Sequence, residues 1–393
     1  MSGRSPRLDL DTVLADPATR IVVCCGAGGV GKTTTAAALA LRAAEAGRTV
    51  VVLTIDPARR LAQSMGLVEL DNTPRAVTGV DGAAGGRLDA MMLDMKRTFD
   101  EIVVAHSTPE KADQILSNPF YQSLSSSFAG TQEYMAMEKL GQLQADGQWD
   151  LVVVDTPPSR SALDFLDAPK RLGSFLDGRF IRILMAPAKA GGRAYVRVLS
   201  SGIGMVTNVF TKVLGAQFLR EVQGFVAALD TMFGGFRERS EETYRLLKAP
   251  GTAFVVVAAP ERDALREASY FVERLGADGM PLAGLVLNRV HRTGAERLSA
   301  ERAVAAAETL EESGSESASG SGSGSGTPET ATALTASLLR LHAERMRLVV
   351  RERHLQERFT SAHPDVPLVE VPAQPGDVHD LPGLRAIGAA VAG

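Results

Sequence analysis

"RIVVCCGAGGVGKTTTAAALA", Arg20 to Ala40, joins a β-branched apolar run, a glycine-rich turn and an alanine-rich stretch without a break. Gly26, Gly31, Lys32 and Thr33 satisfy the spacing G-x-x-x-x-G-K-[ST] between a strand and a helix. That order lets the backbone N–H groups of Gly28, Gly29, Val30, Gly31, Lys32, Thr33 and Thr34 wrap around phosphates, with the positive end of the following helix behind them. Lys32 is expected to reach the β- and γ-phosphates of ATP, and the Thr33 hydroxyl to bind Mg2+. The competing reading, an incidental glycine-rich turn, leaves the flanking strand and helix unexplained.

The same alternation continues outward. Apolar runs near Thr49–Ile55, Leu88–Leu93, Leu151–Val154, Ala253–Ala258, Gly284–Leu287 and Leu368–Val371 are separated by Ala- and Leu-rich stretches. Most are apolar throughout, as strands covered on both faces are. The expected fold class is α/β, a doubly wound, mainly parallel sheet of the P-loop NTPase type. The chain is read as a single ATPase domain over residues 1–393.

Two carboxylates close strands of that sheet. "TIDPARR" puts Asp56 after the second strand, where it is expected to orient the attacking water and to stand near the metal; a helix N-cap is a compatible second role. "WDLVVVDTPPS" ends four apolar residues with Asp155, the arrangement of a magnesium-holding Walker B carboxylate, against the alternative of a turn-forming aspartate. Lys32 and Asp56 are thus the expected catalytic residues, and Thr33, Asp56 and Asp155 the expected metal set.

Composition excludes several classes. Lys+Arg at 42 against Asp+Glu at 46 leaves a formal charge of -4, and no block of like charge suits a nucleic-acid backbone. Cys24 and Cys25 are the only cysteines, and adjacent residues do not staple distant segments, which suits a reducing cytosol. The N-terminus lacks the unbroken apolar stretch of a signal peptide, and charges interrupt residues 179–236, the most apolar region, so no integral membrane segment is expected. These readings place the chain in the cytoplasm.

Residues 109–150 and 159–236 interrupt the strand–helix rhythm with Met, Leu and Phe at helical spacing and are expected to form a helical subdomain. Within it Phe218, Val222, Phe225, Leu229, Met232 and Phe236 make one helix face apolar, either as core or as a groove for an apolar ligand or partner helix. Residues 313–326, "SGSESASGSGSGSG", carry no large apolar side chain and are expected to be a disordered loop. Thr335 to Phe359 reads as an arginine-rich amphipathic helix, basic enough to leave peripheral membrane contact open to test.

Taken together, these motifs resemble the arsenical-pump and tail-anchored-protein-targeting ATPase family. "GAGGVGKTTTAAALALRAAEAGRTVVVLTIDPARRLAQSMG" resembles its P-loop, first helix and switch I, and "WDLVVVDTPPSRSALDFL" its switch II. "LSSSFAGTQEYMAM" is similar to the stretch leading into its client-binding helices. "VVAAPERDALREA" and "GLVLNRV" resemble its later strands, the second implying that Asn288 contacts adenine. "VEVPAQPGDVHDLPGL" looks like the loop covering the base, around Pro372, Ala373 and Gln374. The resemblance implies a dimeric ATPase that uses Mg-ATP to move a helical subdomain between states that bind and release a hydrophobic client.

Departures from the family pattern sharpen the expectation. The family's early P-loop lysine, which reaches the other subunit's phosphates, is Ala27 here, so either a homodimer hydrolyses slowly or a paralogous subunit in a heterodimer supplies the lysine. The alternative is a nucleotide-binding regulatory or structural subunit with little hydrolysis of its own. No C-x-x-C follows Asn288, where "RVHRTG" stands, so inter-subunit zinc is not expected and His291 reads as a surface residue. No separated cysteines exist for an arsenite site, and switch II reads "PPSRSA" where the family has a Thr-Gly-His stretch.

Overall fold

The structure, a computed structural model, describes residues 5–56, 60–119, 121–122, 131–157, 238–318 and 328–392. Helix α1 (Leu10–Ala15) leads into β1 (Ile21–Gly26), α2 (Lys32–Glu45), β2 (Thr49–Thr54) and α3 (Arg60–Ser64). Next come β3 (Arg75–Ala76), β4 (Arg87–Met92), α4 (Met95–Ala105), α5 (Pro109–Leu116), α6 (Thr131–Asp146) and β5 (Leu151–Asp155). The remainder is β6 (Thr252–Ala258), α7 (Arg262–Asp278), β7 (Leu282–Val290), α8 (Ala300–Ala318), α9 (Pro328–Ala362), β8 (Leu368–Pro372) and α10 (Leu381–Ala392).

These strands form one eight-stranded sheet in the order β3-β4-β2-β5-β1-β6-β7-β8. Every pairing is parallel except β3 with β4. The expected strands are all present, displaced by a few residues at their ends. β3 is the addition: two exposed residues carry no periodicity to read.

Alternation along β1 shows why the sheet is wound on both sides. Ile21, Val23 and Cys25 point into one apolar layer, with Phe99 and Ile102 of α4, Leu140 of α6 and Phe271 of α7. Val22 and Cys24 point into the other, with Leu39 of α2 and Leu384 and Ile387 of α10. Helix α2 is buried nearly all round, and its small side chains Ala36, Ala37, Ala40 and Ala44 let it lie close to both β-strands and α10. The two thiols therefore sit on opposite faces of the sheet and share no site; burial pushes Cys25 up to about 12 and Cys24 well above its ordinary value.

Of the expected helical subdomain, the described residues of 109–150 include α5 and α6. Residues 159–236, including the Phe218 to Phe236 face, lie outside the described residues. The expected loop over 313–326 differs from the structure at its start, because α8 continues to Ala318. Ahead of that stretch α8 packs on α9 through Ala300, Ala303, Ala343 and Met346, and Arg340 pairs with Glu311 at 2.6 Å. Residues 319–326 lie outside the described residues. Helix α9 contains the expected helix and extends it at both ends. Among the described residues, no helix is long and apolar enough to cross a membrane.

Candidate functional site

The strand order brings the ends of β2, β5 and β1 side by side at the carboxyl edge of the sheet, where open α/β folds place ligands. Thr54 is in register with Asp155, and Asp155 with Cys24. The loop after β1 opens at Gly26, whose φ of 150° and close approach to β6 exclude a side chain: a Cβ there would stand 2.1 Å from the Val257 carbonyl oxygen. At Gly31, φ is 94°, and a Cβ would meet the Asn288 amide at 2.3 Å.

Lys32 is buried at the first turn of α2, and its Nζ donates to the Ala27 carbonyl at 2.8 Å, which curls the loop around the ammonium. Burial lowers the Lys32 pKa, against the Asp155 charge that raises it. Ala27 is itself buried and packs with Val30 in the apolar layer.

Asp155 is fully buried. Its Oδ2 accepts from the Thr54 hydroxyl at 2.9 Å, and the Thr33 side chain is near enough to favour its charged form. Oδ1 is buried with no hydrogen-bond partner. Burial pushes the Asp155 pKa up to about 6, against the Thr33 and Thr54 hydroxyls and Lys32, which lower it. The Thr54 hydroxyl is also 3.2 Å from the Asp56 N–H, tying the two carboxylate-bearing strand ends together. Thr156 donates its N–H and hydroxyl to the Cys24 carbonyl, at 3.2 and 2.9 Å, which locks the start of the loop after β5 onto β1.

A cavity of about 1080 Å³ opens over this edge. Its lining includes Gly29, Gly31, Lys32, Thr33, Thr34 and Asp56 together with Asn288, Pro372, Ala373 and Gln374. Gly28 is exposed, Val30 and Asp155 are buried, and none of the three is in its lining. Both ends of the Asn288 side chain are engaged: Nδ2 donates to the Val30 carbonyl at 2.8 Å, and Oδ1 accepts from the Arg289 N–H at 2.9 Å. Arg289 has φ of 61°, in the left-handed region, and both it and His291 line the cavity.

A family model described as anion-transporting ATPase matches residues 19–306, which is most of the chain. The chain belongs to the anion-transporting ATPase family. Similar proteins include ATPase get3 of Schizosaccharomyces pombe, 26% identical over 288 residues that cover 72% of this chain and 76% of that protein. ATPase GET3 of Malassezia globosa is 25% identical over 283 residues, covering 72% and 76%. ATPase get3 of Schizosaccharomyces japonicus is 25% identical over 285 residues, covering 72% and 78%.

As a member of the anion-transporting ATPase family this chain is an ATPase, and its cofactors are ATP and Mg2+. The residues present fit both. The cavity admits a nucleotide, glycines leave room where phosphates approach, and a buried carboxylate oxygen without a partner lies next to a threonine hydroxyl. Magnesium, when bound, neutralises phosphate charge as the terminal phosphoryl group departs.

Sequence reasoning missed Thr54 and the setting of His291. The one legible signal for Thr54 was a hydroxyl closing an apolar strand just before Ile55 and Asp56. His291, expected at the surface, is half-buried between the cavity and a carboxylate of α9, a contact set by residues far apart in the chain.

Proposed function

We propose that this ATPase is a conformational switch in which Mg-ATP binding and hydrolysis drive the helical region, residues 109–150 and 159–236, between states that bind and release an apolar client. In this reading Lys32 holds the β/γ-phosphates and the N–H groups of residues 28–34 cradle them. Thr33 and Asp155 hold the metal, and Asp56 orients the attacking water close to it. Asn288 and Pro372 to Gln374 cover the base.

The observation that carries the chemical half is the convergence of Lys32, Thr33 and Asp56 on one cavity, together with the unpartnered oxygen of the buried Asp155. The client half rests on the resemblance of residues 124–137 to the lead-in of the client-binding helices in targeting ATPases. A cytoplasmic dimer, with itself or with a paralogous subunit, completes the proposal.

The deciding experiment is Asp56→Asn. Loss of hydrolysis of roughly 10²-fold or more with ATP affinity retained supports the assignment of the water-orienting residue. Biological activity that survives this loss removes the switching cycle.

Ala27 favours a second reading, a nucleotide-holding regulatory subunit with little hydrolysis of its own, because the residue expected to reach a partner's phosphates has no charge and is buried. Turnover by the purified chain alone distinguishes the two. A pull-down with a non-hydrolysable ATP analogue reads out a paralogous subunit or client, and vesicle flotation tests contact of α9 with a membrane surface.

A further inference from the structure

Beyond Arg289, His291 forms part of the lining of the nucleotide cavity. Two bonds fix this histidine to Glu352 of α9. Its backbone N–H donates to Glu352 Oε2 at 2.9 Å, and its ring Nδ1 stands 2.6 Å from Oε1. Glu352 is only 5% exposed. A carboxylate that takes the backbone N–H on one oxygen presents its other oxygen as an acceptor, so Nδ1 carries a hydrogen and donates. The tautomer protonated only at Nδ1 carries a lone pair on Nε2, for which no described residue supplies a hydrogen bond.

Gly31, Lys32 and Thr33 mark where the phosphates sit, and the same cavity is lined by His291 and by Pro372 to Gln374, against which the base and sugar are placed in this reading. Asn288 already spends its Oδ1 on the Arg289 N–H and one Nδ2 hydrogen on the P-loop. Adenine differs from guanine at C6, where it carries an amino donor in place of a carbonyl acceptor. An acceptor nitrogen on a fixed ring attracts the first and repels the second.

We propose that His291, its tautomer set by Glu352, accepts a hydrogen bond from the 6-amino group of the base and so specifies ATP over triphosphates lacking that donor. This rests on the ATP site described above and adds to it a specificity contact. Glu352 acts through His291 as a positioning residue. It lies beyond the residues matched by the family model, which end at 306.

Calorimetric titration of the full chain with Mg-ATP and with the Mg complex of purine riboside triphosphate, which has hydrogen at C6, tests the proposal. The wild-type chain is expected to bind ATP roughly two- to twelvefold tighter, the range for one hydrogen bond. His291→Ala and His291→Phe are expected to bind the two ligands equally, the phenyl ring keeping the packing but not the acceptor. Equal binding by the wild type, or a preference that persists in either variant, overturns the proposal while leaving the ATP site standing. Wild-type protein that binds neither ligand removes the ATP site and this contact with it.

Discussion

Thr54 and Asp155, in register on β2 and β5, share a 2.9 Å hydrogen bond that uses one carboxylate oxygen and leaves the other buried without a partner. A hydroxyl at the end of an apolar strand thereby holds the proposed metal ligand in one rotamer. Thr54→Val keeps the shape and removes the donor. Hydrogen bonds to charged groups contribute about 1.5–3 kcal/mol, so the apparent magnesium requirement for hydrolysis is expected to rise by roughly one to two orders of magnitude. A magnesium titration of steady-state turnover measures it, and an unchanged midpoint would confine Thr54 to packing.

Asp155 also makes ligand-free stability depend on pH. Its folded pKa of about 6 lies above the ordinary carboxylate value, so the folded chain binds the proton more tightly than the unfolded one. The resulting stabilisation is complete below the unfolded value near 3.9 and is lost as pH rises through about 6, on the order of 2–3 kcal/mol in all. Asp155→Asn is expected to flatten that part of the profile, read as denaturant midpoints between pH 4 and 7 without nucleotide or metal. A variant whose profile parallels the wild type would contradict this assignment.

Gly26 and Gly29 separate steric fit from backbone strain. Both have positive φ, but a Cβ at Gly26 would meet the Val257 carbonyl, whereas nothing lies within 4 Å of one at Gly29. Gly29→Ala is expected to cost only the left-handed penalty, about 1–2 kcal/mol. Gly26→Ala must also push β6 away from β1, and is expected to cost more than about 3 kcal/mol or to prevent folding. Urea melts without nucleotide rank the two, and equal midpoints would refute the close approach of β6.

Asn288→Ala leaves the buried Val30 carbonyl without its donor, a loss of about 1–3 kcal/mol. Because the bond supports the phosphate loop, affinity for ATP and GTP is expected to fall by a similar factor. A larger fall for ATP than for GTP would show that its contact with the base outweighs its support of the loop. Binding of the two fluorescent nucleotide analogues to this variant gives the answer.

Residues adjacent in sequence carried most of what could be read beforehand. The P-loop from Gly26 to Thr33, the apolar strands and the carboxylates Asp56 and Asp155 are local patterns, since strand periodicity, turn chemistry and helix initiation depend on near neighbours. The extension of α8 to Ala318 was not legible, because serine and glycine have poor helix propensity and nothing local predicts a helix there.

Sequence by itself therefore determined the class of sheet and the glycine-rich loop after its first strand, and it located two carboxylates at strand ends. Only the tertiary structure decided that Asp155 would keep one oxygen unpaired, that Asn288 would clamp Val30, and that Glu352 would orient His291. The physical reason is distance along the chain: these bonds join residues 101, 258 and 61 positions apart, and no local propensity encodes which strand end or helix face will meet another.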